Sequence, residues 1–301
     1  MYHYNLNLFG KELRRIRKQF KLTLRDVSEL SGVNCDTLGR IESGKVIPKY
    51  ETLEFLSPIY KQDINTLFLK YRINNYSIFY DIQAKLEAKI DRDEFNTLDI
   101  EVKALEKLPK FIIGRFYKNY IEQMILLAKA IILYKNKHEN DDALNKLTEA
   151  MKLTNPSFIL DDYNSFIYSP MEIRILMNMA LVLNRLDNSE KHLEIMEFCI
   201  DTIKPKNEIY PKICHNLSSA YMKNKNYKKT LELSLDGIKA CQRYRNYYRL
   251  SLLYYDKGIA EYELNKNEYI QSLKTSLTLC DAFGQAELKN TIIKKCKNIL
   301  E

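Results

Sequence analysis

The chain has 301 residues, 46% hydrophobic and 29% charged, which excludes extended disorder and leaves room for two domains. Eight Gly and seven Pro leave little turn material for a sheet-rich fold, so an all-α chain is expected. The formal charge is +8, and residues 1–70 hold 12 Lys and Arg against 8 Asp and Glu, so half of the excess sits in under a quarter of the sequence.

The start, MYHYNLNLFGKEL, lacks a basic-then-apolar signal segment, and no run approaches the roughly 18 apolar residues of a membrane span. A cytoplasmic protein without a membrane partner is expected. Six cysteines (Cys35, Cys199, Cys214, Cys241, Cys280 and Cys296) form no Cys-x-x-Cys, and the four His do not group with them. Reduced thiols, no metal and no cofactor follow. The sequence has no nucleophile elbow, phosphate loop or recognisable spacing of paired carboxylates, so an enzyme is not expected.

Taken in order, residues 6–20 read as a helix that turns Leu13 and Ile16 inward and spreads Lys11, Arg14, Arg15, Lys18 and Lys21 over its remaining surface. Thr23 caps a second helix, 23–31, whose apolar positions Leu24, Val27 and Leu30 recur at three-residue steps, and Gly32 lets the chain reverse. Asn34 caps a third, 34–43, with Asp36 in its first turn, Leu38 and Ile41 inward, and Gly44 as a left-handed stop. Helices 49–60 and 63–69 complete the cover through Leu53 and Leu56. The shared apolar face is Val27, Leu30, Val33, Leu38 and Ile41, and the whole is a compact unit around a helix-turn-helix.

Residues 9–69, with FGKELRRIRKQFKLT, GVNCDTLGRIESGKVIP and ETLEFL, resemble the five-helix, lambda-repressor-like domain of the phage repressor/Cro (XRE) family. The resemblance implies that the third helix enters the major groove of double-stranded DNA and presents Asn34, Cys35, Asp36, Thr37 and Arg40 to base edges. Arg40 is the candidate for bidentate contact with guanine, and Thr37 for a thymine methyl. Asp36 would accept from a cytosine amino group, pin Arg40, or favour the helix N-terminus. Thr23, Arg25, Ser43 and Lys45 would sit over the phosphate backbone. Arg17 and Glu42 match the family's ion pair between the first and third helices. One departure is Leu24, where the family commonly has Gln.

After a junction at residues 71–77 the pattern changes to paired amphipathic helices over 78–301. Three segments align without gaps at their core, from Asn178, from Asn216 and, about 40 residues on, from Asp256; looser pairs cover 78–108 and 116–153. Small residues recur at Ala180, Ser218 and Gly258. These units resemble degenerate tetratricopeptide repeats, with His192 and Thr230 where the second helix usually has Ala, and a closing helix over 283–300. Stacked pairs would give a right-handed α-solenoid with a concave surface suited to an extended peptide. One inward slot holds Asn178, Asn216 and Asp256, and the amides of the two Asn can grip a peptide backbone. A second, one turn earlier, holds Arg174 and Lys212, suited to a carboxylate. Tyr221, Tyr255 and Tyr262 offer aromatic contact.

The combination resembles the Rgg/PlcR-like (RRNPP-type) quorum-sensing regulators. It implies a homodimeric transcription factor that reads two DNA half-sites, dimerises through its repeats and binds a short signalling peptide, with the junction near Asn74 and Asn75 as a lever. The alternative is a helix-turn-helix repressor of phage or mobile-element type whose repeats dock a protein partner. A large apolar groove would favour that alternative, and a narrow Asn- and Arg-lined one the peptide.

Overall fold

Every regular element among the described residues is helical. A computed structural model describes residues 4–72, 76–108, 115–247 and 249–300, so Asn74 and Asn75 lie outside the described residues. The chain divides into two units, Met1–Ala84 with Ala104–Ile121 and Lys85–Lys103 with Glu122–Glu301.

The first unit opens with α1 (Leu6–Gln19), α2 (Leu24–Ser31), α3 (Cys35–Glu42), α4 (Tyr50–Leu56) and α5 (Ile64–Leu69). The caps lie where the sequence puts them. Thr23 Oγ1 accepts from the Asp26 N–H at 3.1 Å while Asp26 accepts from the Thr23 N–H, a reciprocal box that satisfies two otherwise unpaired donors. Asn34 Oδ1 accepts from the Asp36 N–H at 2.8 Å. Gly32 closes α2 at φ 73, a left-handed conformation without a Cβ penalty. Phe9, Leu13, Ile16, Val27, Leu38, Ile41, Leu53, Leu56 and Ile64 form the buried core.

Two expectations are corrected here. Leu30 is 65% exposed, because the turn at Gly32 brings Val33 back over the core in its place. The fourth helix stops at Leu56 and does not reach residue 60, since Pro58 has no N–H to continue the ladder. Ser57 bridges the break, donating to Leu53 O and accepting from the Ile64 N–H.

At Gly10 a Cβ would lie 2.4 Å from Glu42 O, so α1 and α3 meet backbone to backbone. Beside that contact Arg17 Nε and Nη2 donate to Glu42 Oε1 and Oε2 at 2.6 and 2.8 Å, and Arg17 Nη1 donates to Leu22 O. The side chains are 10% and 7% exposed, and the pair that the resemblance implied is present.

The remaining helices are α6 (Tyr76–Asp91), α7 (Leu98–Glu106), α8 (Arg115–Ile132), α9 (Asn140–Lys152), α10 (Pro170–Arg185), α11 (Ser189–Thr202), α12 (Tyr210–Lys223), α13 (Tyr227–Tyr244), α14 (Leu250–Glu263), α15 (Tyr269–Ala282) and α16 (Ala286–Leu300). In the second unit each helix from α9 on packs against the next in sequence. The small-residue slot is where the helices close up. His192 Nδ1–H donates to Ala180 O at 2.8 Å, and Ser218 and Thr230 donate to each other's carbonyls at 3.4 Å. At Gly258 a Cβ would lie 2.7 Å from Leu273.

The gapless alignment fails in the third repeat. Two extra residues separate α14 from α15, so Ser272 takes the place of Thr230 and Ile270, which an ungapped register would bury, is 41% exposed. The closing helix starts at Ala286, three residues later than expected, because Gly284 turns left-handed at φ 66. Among the described residues no helix is long and apolar enough to cross a membrane, and no group of His, Cys, Asp and Glu could hold a metal ion.

Candidate functional site

The first candidate surface is the outer face of α3. Asn34, Cys35, Asp36, Arg40, Ser43 and Lys45 are exposed, and Thr37 is half-buried. Leu38 and Ile41 anchor the opposite face in the core, which fixes the helix with those side chains outward. No ion pair joins Asp36 to Arg40 among the described residues, so the pinning role considered for Asp36 is not seen. Thr23 and Arg25 stand exposed at the start of α2, where the Thr23 oxygen already serves as a cap and Arg25 pairs with Glu29 at 3.1 Å. That pair is open to solvent on both sides and is worth little. Ser43 Oγ donates to Arg40 O, which leaves its oxygen as an acceptor.

The second candidate is a hollow of about 110 Å³ within the repeats. It brings together Arg174 and Asn178 of α10 with Lys212 and Asn216 of α12, four of the eight side chains proposed for peptide contact. Residues four apart share a helix face, and both pairs have that spacing. Tyr221, Tyr255, Asp256 and Tyr262 do not line it. Tyr221 stands five residues beyond Asn216, about 140° around the helix, and bonds Glu197 and Lys229 instead. Tyr255 packs beside Ile259 and Cys296. Asp256, 1% exposed, accepts from or pairs with His215 Nδ1 at 2.8 Å. Tyr262 packs edge-on to Tyr269.

Behind the hollow lies an ion cluster that sequence reasoning missed. Glu87 on α6 accepts from both terminal guanidinium nitrogens of Arg174, with Nη2 at 2.9 Å from Oε2, and Lys212 Nζ lies 3.2 Å from the same oxygen. Burial pushes the Glu87 carboxyl up, but the Arg174 and Lys212 charges and their hydrogen bonds outweigh it and hold the pKa at about 2. Asp91, one turn on, lies 3.1 Å from Lys212 Nζ, yet neither of its buried oxygens has a hydrogen-bond partner among the described residues. The ammonium supplies charge there without bonding geometry. Arg174 and Lys212, read as a seat for a ligand carboxylate, therefore already hold carboxylates of their own chain.

Asn178 is likewise engaged. Its Oδ1 accepts from the Tyr134 hydroxyl at 3.0 Å and its Nδ2 donates to Arg174 O, at 3% exposure. Asn216 is half-buried, lines the hollow and makes no hydrogen bond through its side chain among the described residues. The other wall comes from Ile90, Phe95, Tyr134, Lys135 and Arg249. Tyr134 and Lys135 sit in a π-helical turn, Leu133–Lys137, that follows α8 and shifts its register. Arg249 caps α14 from a left-handed conformation, φ 63, and donates to Ile90 O.

Residues 10–73 match a family described as a helix-turn-helix domain. No curated relative matches the chain by sequence. Among solved structures the chain is similar to Bacillus thuringiensis PlcR in complex with the peptide PapR7 and DNA, with TM-score 0.74 and 17% identity over 95% of this chain and 99% of that one. The chain shares the PlcR fold. Two further structures match over nearly their whole length. Streptococcus dysgalactiae Rgg2, a SHP pheromone receptor, gives TM-score 0.58 and 15% identity over 96% of this chain and 98% of that one. ComR from S. thermophilus, in complex with DNA and its signalling peptide ComS, gives 0.59 and 11% over 95% and 98%. The all-α architecture, a helix-turn-helix followed by helical repeats, is thus common to PlcR, Rgg2, ComR and this chain.

Proposed function

We propose that the chain is a transcription regulator in which the helix-turn-helix binds DNA and the repeats bind a short signalling peptide that controls it. The observation that carries this reading is the fold shared with PlcR and ComR, whose structures hold both a peptide and DNA. The exposed faces of α3 and the start of α2 support the first half: Arg40 would read guanine, Thr37 a thymine methyl, with Asn34, Cys35 and Asp36 beside them, Thr23, Arg25 and Lys45 on phosphates, and Ser43 joining these by turning its hydroxyl from Arg40 O to a phosphate. The hollow supports the second. It is small, polar and cationic, with the Asn216 amide open to a peptide backbone, a lining that suits a peptide better than the apolar face of a docked protein.

In this reading residues 1–70 are the DNA-binding head, 71–77 the junction and 78–301 the peptide-binding and dimerisation part. A homodimer would place two heads about 34–36 Å apart on successive half-sites. A peptide that favours one arrangement of the dimer must then change DNA affinity, and DNA must change peptide affinity by the same factor.

Native mass spectrometry of the protein purified from its own host, with sequencing of anything released, tests the proposal. A bound short peptide that alters DNA binding on re-addition supports it. A stably co-purifying protein in place of a peptide would make the protein-docking repressor the better reading.

A further inference from the structure

The hollow carries more positive charge than the chain neutralises. Four lining side chains are cations, Lys135, Arg174, Lys212 and Arg249, and none of the lining residues is acidic. Three of the cations have carboxylates behind them: Glu87 serves Arg174 and Lys212, Asp91 serves Lys212, and Asp93 stands 3.6 Å from Arg249. Lys135 has no ion pair and no hydrogen bond through its ammonium among the described residues. Its Nζ lies 4.9 Å from the centre of the Phe95 ring and 5.7 Å from that of Tyr134. The Arg185 guanidinium sits over the same Tyr134 ring at 5.3 Å and is fixed by donating to Tyr134 O.

Burial lowers the Lys135 pKa, and repulsion from Arg185 and Arg249 adds to that effect while Asp93 opposes it. A half-buried ammonium among other cations is destabilised until an anion joins it. The ring faces of Phe95 and Tyr134 stabilise the charge in part and hold it in place. Arg249, 15% exposed at its side chain and anchored on Ile90 O, keeps its guanidinium at the same wall.

Resting on the reading that the repeats bind a peptide, we propose that Lys135 and Arg249 form the seat for a carboxylate of that peptide and so set which peptides are accepted. The only anionic groups of an unmodified peptide are its C-terminus and its Asp or Glu side chains, and both offer the same chemistry. Arg174 and Lys212, held by Glu87, instead form the fixed back of the site.

The full chain is incubated with a random library of short peptides, half with free and half with amidated C-termini, and the retained peptides are sequenced. The expected result is one of two selections. Retention of free over amidated peptides places the C-terminus in the seat; enrichment of Asp or Glu at one position places a side chain there. Either preference should fall about tenfold in Lys135→Met and in Arg249→Gln. Thermal melts accompany both variants, and if Arg249→Gln unfolds through loss of its Ile90 bond, Lys135→Met decides. Peptides retained without preference for a carboxylate, or with a preference that Lys135→Met leaves unchanged, would overturn the seat while leaving peptide binding in place. No retention of any peptide would overturn the peptide reading itself, and the seat with it.

Discussion

Both units bury an arginine against a glutamate, and they do so to different ends. In the head, Arg17 meets both oxygens of Glu42 with its fork and Leu22 O with its third nitrogen, a closed pair of one cation and one anion. In the repeats, Glu87 is shared between Arg174 and Lys212, the Asp91 carboxylate beside it has no hydrogen bond among the described residues, and the two cations face a hollow. A closed pair locks two helices together. A shared one leaves charge that a ligand can redistribute.

The sharpest way to break the comparison is to open the closed pair. Arg17→Ala strands a carboxylate whose side chain is 7% exposed and should cost about 3–5 kcal/mol, read by urea denaturation, with DNA binding lost as the head unfolds. A cost under about 1 kcal/mol would place this pair with surface bridges and erase the contrast. Replacing both partners, Arg17→Met with Glu42→Leu, should recover most of the loss, because no charge is then left buried.

Glu87→Gln is expected to cost less, about 2 kcal/mol, since Asp91 remains to face Lys212. Its signature is the acid limb. The folded pKa of about 2 lies below the ordinary 4.5, so the stability Glu87 contributes is complete above pH 4.5 and is lost as the pH falls toward 2. Urea midpoints measured through that range should fall more steeply for the native chain than for the variant. Equal slopes would mean that the cluster adds nothing to folding.

In the head, Arg40→Ala should leave the melting temperature unchanged and relax sequence preference by about 1–3 kcal/mol in binding-site selection on random DNA. An unaltered selected motif would move base reading away from this residue. For His192, burial holds the pKa below its ordinary 6.5, so the folded imidazole stays neutral where the unfolded one is charged. Stability should be full above pH 6.5 and decline below it, and His192→Gln should flatten that decline. Asn216→Ala should change folding by no more than about 0.5 kcal/mol, because its amide makes no hydrogen bond among the described residues. Peptide retention should nevertheless weaken; equal retention would show that the amide is not part of the grip.

The head was legible in the sequence nearly to the residue, because its signals are local. Caps at Thr23 and Asn34 and reversal at Gly32 act within a turn of chain, while the Arg17–Glu42 pair, 25 residues apart, is reached through the resemblance to the XRE family. The two misses there, Leu30 and the end of α4, come from a helix too short for its periodicity to decide a face and from a proline passed over. In the repeats, the four-residue spacing of Arg174 with Asn178 and of Lys212 with Asn216 sets each pair on one helix face, and all four side chains line the hollow. What the sequence hid were contacts between distant segments: Glu87 lies 87 residues from Arg174 and 125 from Lys212. Lys135 was hidden for another reason, since a π-helical turn breaks the 3.6-residue count that assigns faces.

His192 on Ala180 O, the reciprocal bonds of Ser218 and Thr230, and Leu273 filling the space above Gly258 are three different keys in equivalent locks. Repeats with interchangeable apolar faces can stack out of order, a common kinetic trap for such chains. Here an exchange of α11 and α13 would press the His192 imidazole against Ser218, where the smaller Thr230 fits, and leave a gap beside Ala180, an overpacking that costs about 1–3 kcal/mol. The sequence thereby encodes the order of assembly as well as the shape of each unit, and a chain with α11 and α13 exchanged should refold slowly or aggregate although every helix keeps its amphipathic face.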